Sequence, residues 1–121
     1  MFSGATPIFQ QLATLISDGV LTGVYPEETP VPSAAELAIF HRVNPATASK
    51  GVNLLVDLGI LYKKRGVGMF VASGARDKLQ ALRREEFRDH FVRPLITEAR
   101  ALGLSVDDLM RLIAHEEEEQ Q

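Results

Sequence analysis

The sequence predicts a mainly α-helical chain with one small β-hairpin, and three observations predict it. Apolar residues recur at spacings of three and four through most of the 121 residues, the period of a helix with one buried face. The helical stretches are bounded by capping chemistry: serine, threonine or asparagine at the start, glycine or proline at the end. Between residues 60 and 71 the period shortens to that of strands, around Arg65-Gly66-Val67-Gly68.

The first helix is expected from Pro7 to about Gly23, with Ile8, Leu12, Leu15, Ile16 and Val20 on one face. Thr6 is its expected N-cap and Pro7 its first residue, where a missing N–H costs nothing. Three prolines in Val24-Tyr25-Pro26-Glu27-Glu28-Thr29-Pro30-Val31-Pro32 then impose an extended or turn-like stretch. Ser33-Ala34-Ala35-Glu36 reads as a capping box that starts a second, short helix. Asn44-Pro45 supplies the cap and first residue of a third, which carries Ala48, Val52, Leu55 and Leu58 inward and stops near Gly59. Gly51 in its interior costs about 1 kcal/mol relative to alanine, which points to a close helix–helix approach.

Ile60 to Lys64 and Met69 to Val71 are the two expected strands, joined by the glycine-bearing loop. Helix, extended stretch, helix, turn, helix, hairpin is the order of a winged helix-turn-helix, here residues 1–72. Residues 73–121 read as two further helices. The first spans Arg76 to Leu102, and Pro94 inside it should bend or break it near His90, whose carbonyl loses its donor. Gly103 fits the position after its end, and Ser105 caps the last helix, with Leu104 and Leu109 placed as a hydrophobic staple.

Composition narrows the function. At 45% hydrophobic and 24% charged residues the chain is an ordinary globular one, which excludes a disordered or collagenous protein. The absence of cysteine removes disulfides, thiolate metal sites, iron–sulfur clusters and cysteine nucleophiles. No apolar run approaches the roughly 20 residues of a membrane span. Met1-Phe2-Ser3-Gly4 lacks the basic and apolar regions of a secretion signal, so a cytoplasmic protein is expected. His41, His90 and His115 are scattered without carboxylates at ligand spacing, and no serine has a base partner. No catalytic, metal or cofactor site is therefore expected, and no residue set points to a class of effector.

The net charge of −3 conceals a division along the chain. Residues 1–72 are balanced, and the negative excess lies beyond them, with four acids in the terminal run Glu116 to Glu119. Between residues 41 and 65, Arg42, Lys50, Lys63, Lys64 and Arg65 face the single acid Asp57. A ligand feels that local field rather than the total. Asn44, Ala46, Thr47 and Lys50 occupy the first turns of the third helix, the part that enters a major groove in helix-turn-helix proteins. Taken alone, Asn44 and Lys50 fit a plain cap and a solvated lysine at least as well. The wing signal is stronger, because Lys63, Lys64 and Arg65 ride on a loop thin enough to approach DNA.

Pro32-Ser33-Ala34-Ala35-Glu36-Leu37-Ala38, Val43-Asn44-Pro45-Ala46-Thr47-Ala48, Leu58-Gly59-Ile60-Leu61 and Gly66-Val67-Gly68-Met69-Phe70-Val71 occur in that order. Together they resemble the GntR family of bacterial transcription regulators across residues 7–72. Asn44-Pro45, with only residues 73–121 after the matched part, is similar to the YtrA subfamily, whose two C-terminal helices serve dimerisation. The resemblance implies a homodimeric, usually repressing protein on a palindromic operator in double-stranded DNA, in some cases that of a transporter operon. It carries DNA contacts onto Ser33, Ala35, Asn44, Pro45, Ala46, Thr47, Ser49, Lys50, Arg65, Gly66 and Gly68. Many members have arginine where this chain has Ala35, Pro45 and Ser49, and Arg42 replaces a common glycine or asparagine. The expectation is weaker contact per half-site, with Arg42 restoring one cation and more of the reading left to Asn44, Thr47 and Lys50.

A dimer is also expected on physical grounds, because a 72-residue head cannot cover the whole apolar face of the two last helices. The residues expected to pair are Leu79, Leu82, Phe87, Phe91, Leu95, Ile96, Leu102, Leu109, Leu112 and Ile113. The rival reading is a winged helix used as a protein-interaction module, without specific DNA binding.

Overall fold

Helix α1 (Ile8–Thr22) buries Leu12, Ala13, Ile16 and Val20, while Ile8 and Leu15 are each 44% exposed. The apolar stripe is therefore broader than the face the head covers, and Ile8 and Leu15 lie on its uncovered margin. The computed structural model describes residues 6–121, and Met1 to Gly4, read above for a signal, lie outside them. Pro7 rather than Thr6 takes the cap position, and no side chain closes this end. Thr6 instead offers its carbonyl to the Gln11 side chain at 2.6 Å.

Helix α2 (Ala34–His41) begins with the expected capping box, Ser33 and Glu36 each accepting the other's backbone N–H. Such a cap stabilises the helix by about 1 kcal/mol. It ends on Arg42, a non-glycine residue in the left-handed region at φ 55°. Helix α3 (Pro45–Asp57) starts at Asn44, whose Oδ1 accepts the Ala46 N–H at 2.8 Å. Ala48, Gly51, Val52 and Leu55 face inward. Leu58, expected there too, is 40% exposed, because the chain has already left the helix at that point. A Cβ on Gly51 would come within 2.7 Å of the Phe9 carbonyl oxygen, so the glycine permits the close packing of α3 on α1.

Strands β1 (Leu61–Lys64) and β2 (Gly68–Val71) pair antiparallel, with Tyr62 opposite Phe70 and Lys63 opposite Met69. The proline-rich stretch runs along the free edge of β2. Glu28 and Val31 donate to Val71 and Met69, and Val71 donates back to Thr29. Proline lacks the donor for a regular ladder, so only an isolated bridge, Pro30 with Phe70, forms there. Leu12, Ile16, Leu55, Ile60, Leu61 and Val71 are the largest fully buried side chains of this core. Each contributes about 1.5–3 kcal/mol through burial.

The chain divides into two compact units, one running to Leu82 and the other Arg83–Gln121, so the boundary falls within helix α4 (Ala75–Phe87). The early turns of α4 belong to the first unit, where Ala75 and Leu79 join the core. In the second unit the irregularity expected near His90 is present, as a π-turn rather than a break. Residues Arg88–Val92 widen into this turn, in which the Arg93 N–H reaches the Arg88 carbonyl, before helix α5 (Arg93–Ala101). That turn makes room where the proline ring would meet a carbonyl one turn earlier. Helix α6 (Val106–Gln120) opens with a second capping box, between Ser105 and Asp108. No helix among the described residues is long and apolar enough to cross a membrane.

Candidate nucleic-acid interface

A cleft of about 350 Å³ lies in the first unit between the start of α2, the middle of α3 and the wing. Ser33, Ala35, Ser49, Lys63 and Gly68, five of the residues expected to contact DNA, share its walls. Four of them are small, so a ligand backbone meets no bulky side chain from these positions. The fifth brings a cation.

Asn53 also lines this cleft, and sequence reasoning missed it. It lies three and four residues beyond Lys50 and Ser49, and that spacing places it on the same helical face. It also borders a second concavity on the opposite flank of α3, with Phe9, Ala46 and Lys50. The exposed ridge of α3 thus runs through Ala46, Lys50 and Asn53 to Asp57, where a carboxylate ends the polar, uncharged-to-basic surface.

The other expected residues are distributed around this ridge. Asn44 and Pro45 are exposed at its leading end, and Thr47 is half-buried on its flank. The Asn44 side-chain oxygen is held by the cap, which leaves its NH₂ to face a partner. Arg42, Lys64, Arg65 and Gly66 are exposed, and Gly66 and Gly68 supply the positive φ of the wing loop at 78° and 142°.

Two of the cations rest on aromatic rings. The Lys50 ammonium stands 4.2 Å above the centre of Phe9, and that of Lys64 stands 4.6 Å above Phe70. At such exposed sites the attraction is worth about 0.5–1 kcal/mol, enough to bias where each charge is held. Neither ring was among the sequence candidates; Phe9 is remote in sequence from Lys50, whereas Phe70 lies across the hairpin from Lys64 and was open to the strand register.

Behind the wing, the Tyr62 hydroxyl donates to Glu28 at 2.6 Å and the Ser73 hydroxyl to the other oxygen at 2.9 Å. These bonds, that from Tyr62 foremost, hold the Glu28 carboxyl below its ordinary pKa. The same bond raises the Tyr62 phenol above its own. The Gly74 N–H, at the entry to α4, donates to the neighbouring Glu27.

The residues expected to pair two copies behave differently from one another. Leu79 is only 4% exposed, inside the core of the first unit, and so is not available to a partner. Its place in the helical pattern does not reveal that the head covers this turn of α4. Leu82 and Leu109 are half-buried, whereas Phe87, Phe91, Leu95, Ile96, Leu102, Leu112 and Ile113 are exposed. Leu95, Leu109, Leu112 and Ile113 line an apolar groove within the second unit.

No family model matches the chain. The HTH-type transcriptional regulator Rv1152 of Mycobacterium tuberculosis is 30% identical over 110 residues, 90% of this chain and 84% of that protein. The HTH-type transcriptional repressor YtrA of Bacillus subtilis is 28% identical over 105 residues, 87% of this chain and 80% of the relative. The uncharacterized HTH-type regulator YurK of the same organism is 35% identical over 69 residues, and the chain spans only 28% of its length. Among solved structures, a putative GntR-family regulator from Bacteroides thetaiotaomicron superposes with a TM-score of 0.75 at 32% identity, covering 94% of this chain and 99% of that one. The DNA-binding domain of AraR, solved in complex with operator ORX1, matches 60% of this chain and 93% of its own at 30% identity and a TM-score of 0.56. Likeness along nearly the full length, through the winged helix and the two helices after it, means that this chain belongs to the GntR family of transcriptional regulators, on its YtrA-like branch.

Proposed function

We propose that this chain is a transcriptional repressor that binds a palindromic operator as a homodimer. The observation that carries the reading is the cleft between α2, α3 and the wing, where the expected contact residues meet beside Lys63. In this reading residues 1–72 form the DNA-binding part and residues 73–121, apart from Leu79, the dimerisation part. The leading turns of α3 enter the major groove, where Ala46, Thr47, Ser49 and Lys50 face base edges and phosphates. The Asn44 NH₂ donates to an acceptor, since its oxygen is occupied. Ser33 and Ala35 border the backbone, and Arg42, Lys63, Lys64, Arg65, Gly66 and Gly68 meet phosphates or the adjacent groove.

The exposed apolar residues of the second unit support pairing, Phe87 and Phe91 above all at 57% and 66% exposure. Two-fold pairing sets two recognition helices about 34 Å apart, one turn of DNA. Occupying a promoter in this way blocks transcription, and a transporter operon is the first candidate target.

A mobility-shift titration on the chain's own promoter tests the reading. If about six phosphates are neutralised, affinity falls roughly a thousandfold between 50 and 200 mM salt. Changing Lys63, Lys64 and Arg65 to alanine should weaken binding to every sequence and reduce that slope. Changing Asn44 or Thr47 should alter preference among operators, by about 1–3 kcal/mol at the base pair read. A flat salt response would contradict the proposal.

A further inference from the structure

Glu28 has a φ of 64°, in the left-handed region that glycine adopts freely and a side chain resists. Residues kept in such a conformation are held there by their surroundings, and the holding itself serves a purpose in many sites. Here the surroundings are the two ends of the wing. Glu28 accepts from Tyr62 on β1 at 2.6 Å and from Ser73, just beyond β2, at 2.9 Å, and its N–H donates to Val71 at 2.8 Å. One residue of the proline-rich stretch thereby grips both strands of the hairpin.

The grip extends toward the tip. The Tyr62 ring packs beside Phe70, its centroid 6.1 Å away, and Phe70 carries the Lys64 ammonium at 4.6 Å. Glu28, Tyr62, Phe70 and Lys64 form a continuous line from the edge of the core to the cationic loop. The backbone bonds of β1 and β2 pair the strands but do not by themselves fix how the hairpin leans.

We propose that Glu28 is the positioning residue of the wing, its carboxylate strapping Tyr62 and Ser73 so that Lys63, Lys64 and Arg65 are oriented for DNA before it arrives. This rests on the DNA-binding reading above. Without the strap the hairpin stays paired, and binding has to order it.

The Glu28→Gly variant tests this, because glycine accepts the φ without strain and keeps the N–H to Val71. Its melting temperature should stay close to that of the wild type, the relieved φ offsetting the lost carboxylate bonds. In the free protein, amide exchange across residues 62–70 should quicken severalfold, and operator Kd should weaken about tenfold as pre-organisation is lost. In a Lys63→Ala, Lys64→Ala, Arg65→Ala background the same change should shift Kd less than about twofold, since no cation remains to orient. Tyr62→Phe, which spares the backbone, should reproduce part of the loss. Unaltered wing exchange, unaltered operator affinity in Glu28→Gly, or an equal loss in both backgrounds would each overturn the proposal. A wild-type protein that binds no DNA at all would instead overturn the reading it rests on, and the exchange measurement stands apart from that outcome.

Discussion

The two units of this chain solve the same problem in opposite ways. The first buries a contiguous apolar core, whereas among the described residues of the second only Ala99 is buried. The second relies on local devices: the Ser105 and Asp108 capping box and the ion pairs Asp89 with Arg93 and Asp108 with Arg111. Exposed pairs of this kind contribute only a few tenths of a kcal/mol each. Two helices without a core of their own are marginal in water, since most helical stability comes from tertiary packing. The difference teaches that the first unit has a core of its own, whereas the second leaves most of its apolar face uncovered. A second copy of the chain, as proposed, would cover that face.

The sharpest way to break the comparison is to charge the uncovered face. If the chain pairs as proposed, Leu112→Asp with Ile113→Asp should convert that dimer to monomer by light scattering and lower operator affinity at least about a hundredfold, because two half-sites no longer bind as one. The melting of the first unit should hardly move. A double variant that stays dimeric would place the interface elsewhere.

A smaller effect is expected inside the first unit. Gly51→Ala brings about 1 kcal/mol of helix propensity, yet its Cβ would press on the Phe9 carbonyl, a backbone atom that cannot swing aside. Overpacking of this kind costs about 1–3 kcal/mol, so chemical denaturation should show net destabilisation. A stabilised variant would mean that α1 and α3 pack less tightly than described.

The smallest effect is with acid, and each unit carries its own reporter. Glu28 in the first is held low by Tyr62 and Ser73, and Asp108 in the second by the Ser105 N–H and hydroxyl and by Arg111. A carboxyl whose folded pKa is depressed contributes stability that is present above its unfolded value and lost as pH falls through the folded one. Glu28→Gln and Asp108→Asn should therefore flatten the acid side of the stability profile. Asp108→Asn should leave its alkaline side unaltered, whereas Glu28→Gln should also alter the alkaline limb, because Glu28 raises the Tyr62 phenol. Thermal melts across pH 2–6 would check the acid side, and a variant with the wild-type slope there would remove that carboxylate from the account.

Much of the first unit is legible from residues near one another in sequence. Ser33 with Glu36, Asn44 with Pro45, and the glycines around Val67 each specify a cap or turn within four residues. Which residues share the candidate cleft is legible to the same degree, since position along α3 and along the wing determines which of them meet. Asn53 was open to the same periodic argument. Phe9 beneath Lys50 and Glu28 beneath the wing were not, because each partner is more than 30 residues away.

The sequence by itself determined the order of elements in the first unit, the caps at Ser33, Asn44 and Ser105, and the site of the cationic loop. These follow from backbone geometry and short-range hydrogen bonds, which any chain with those residues would satisfy locally. Only the tertiary structure decided that Ile8, Leu15 and Leu58 face outward, that Leu79 is sealed into the head, that Pro94 is absorbed by a π-turn, and that a strained glutamate straps the wing. A helical stripe records only that a face is apolar. Which part of it is covered depends on elements that the chain brings back from far along its length.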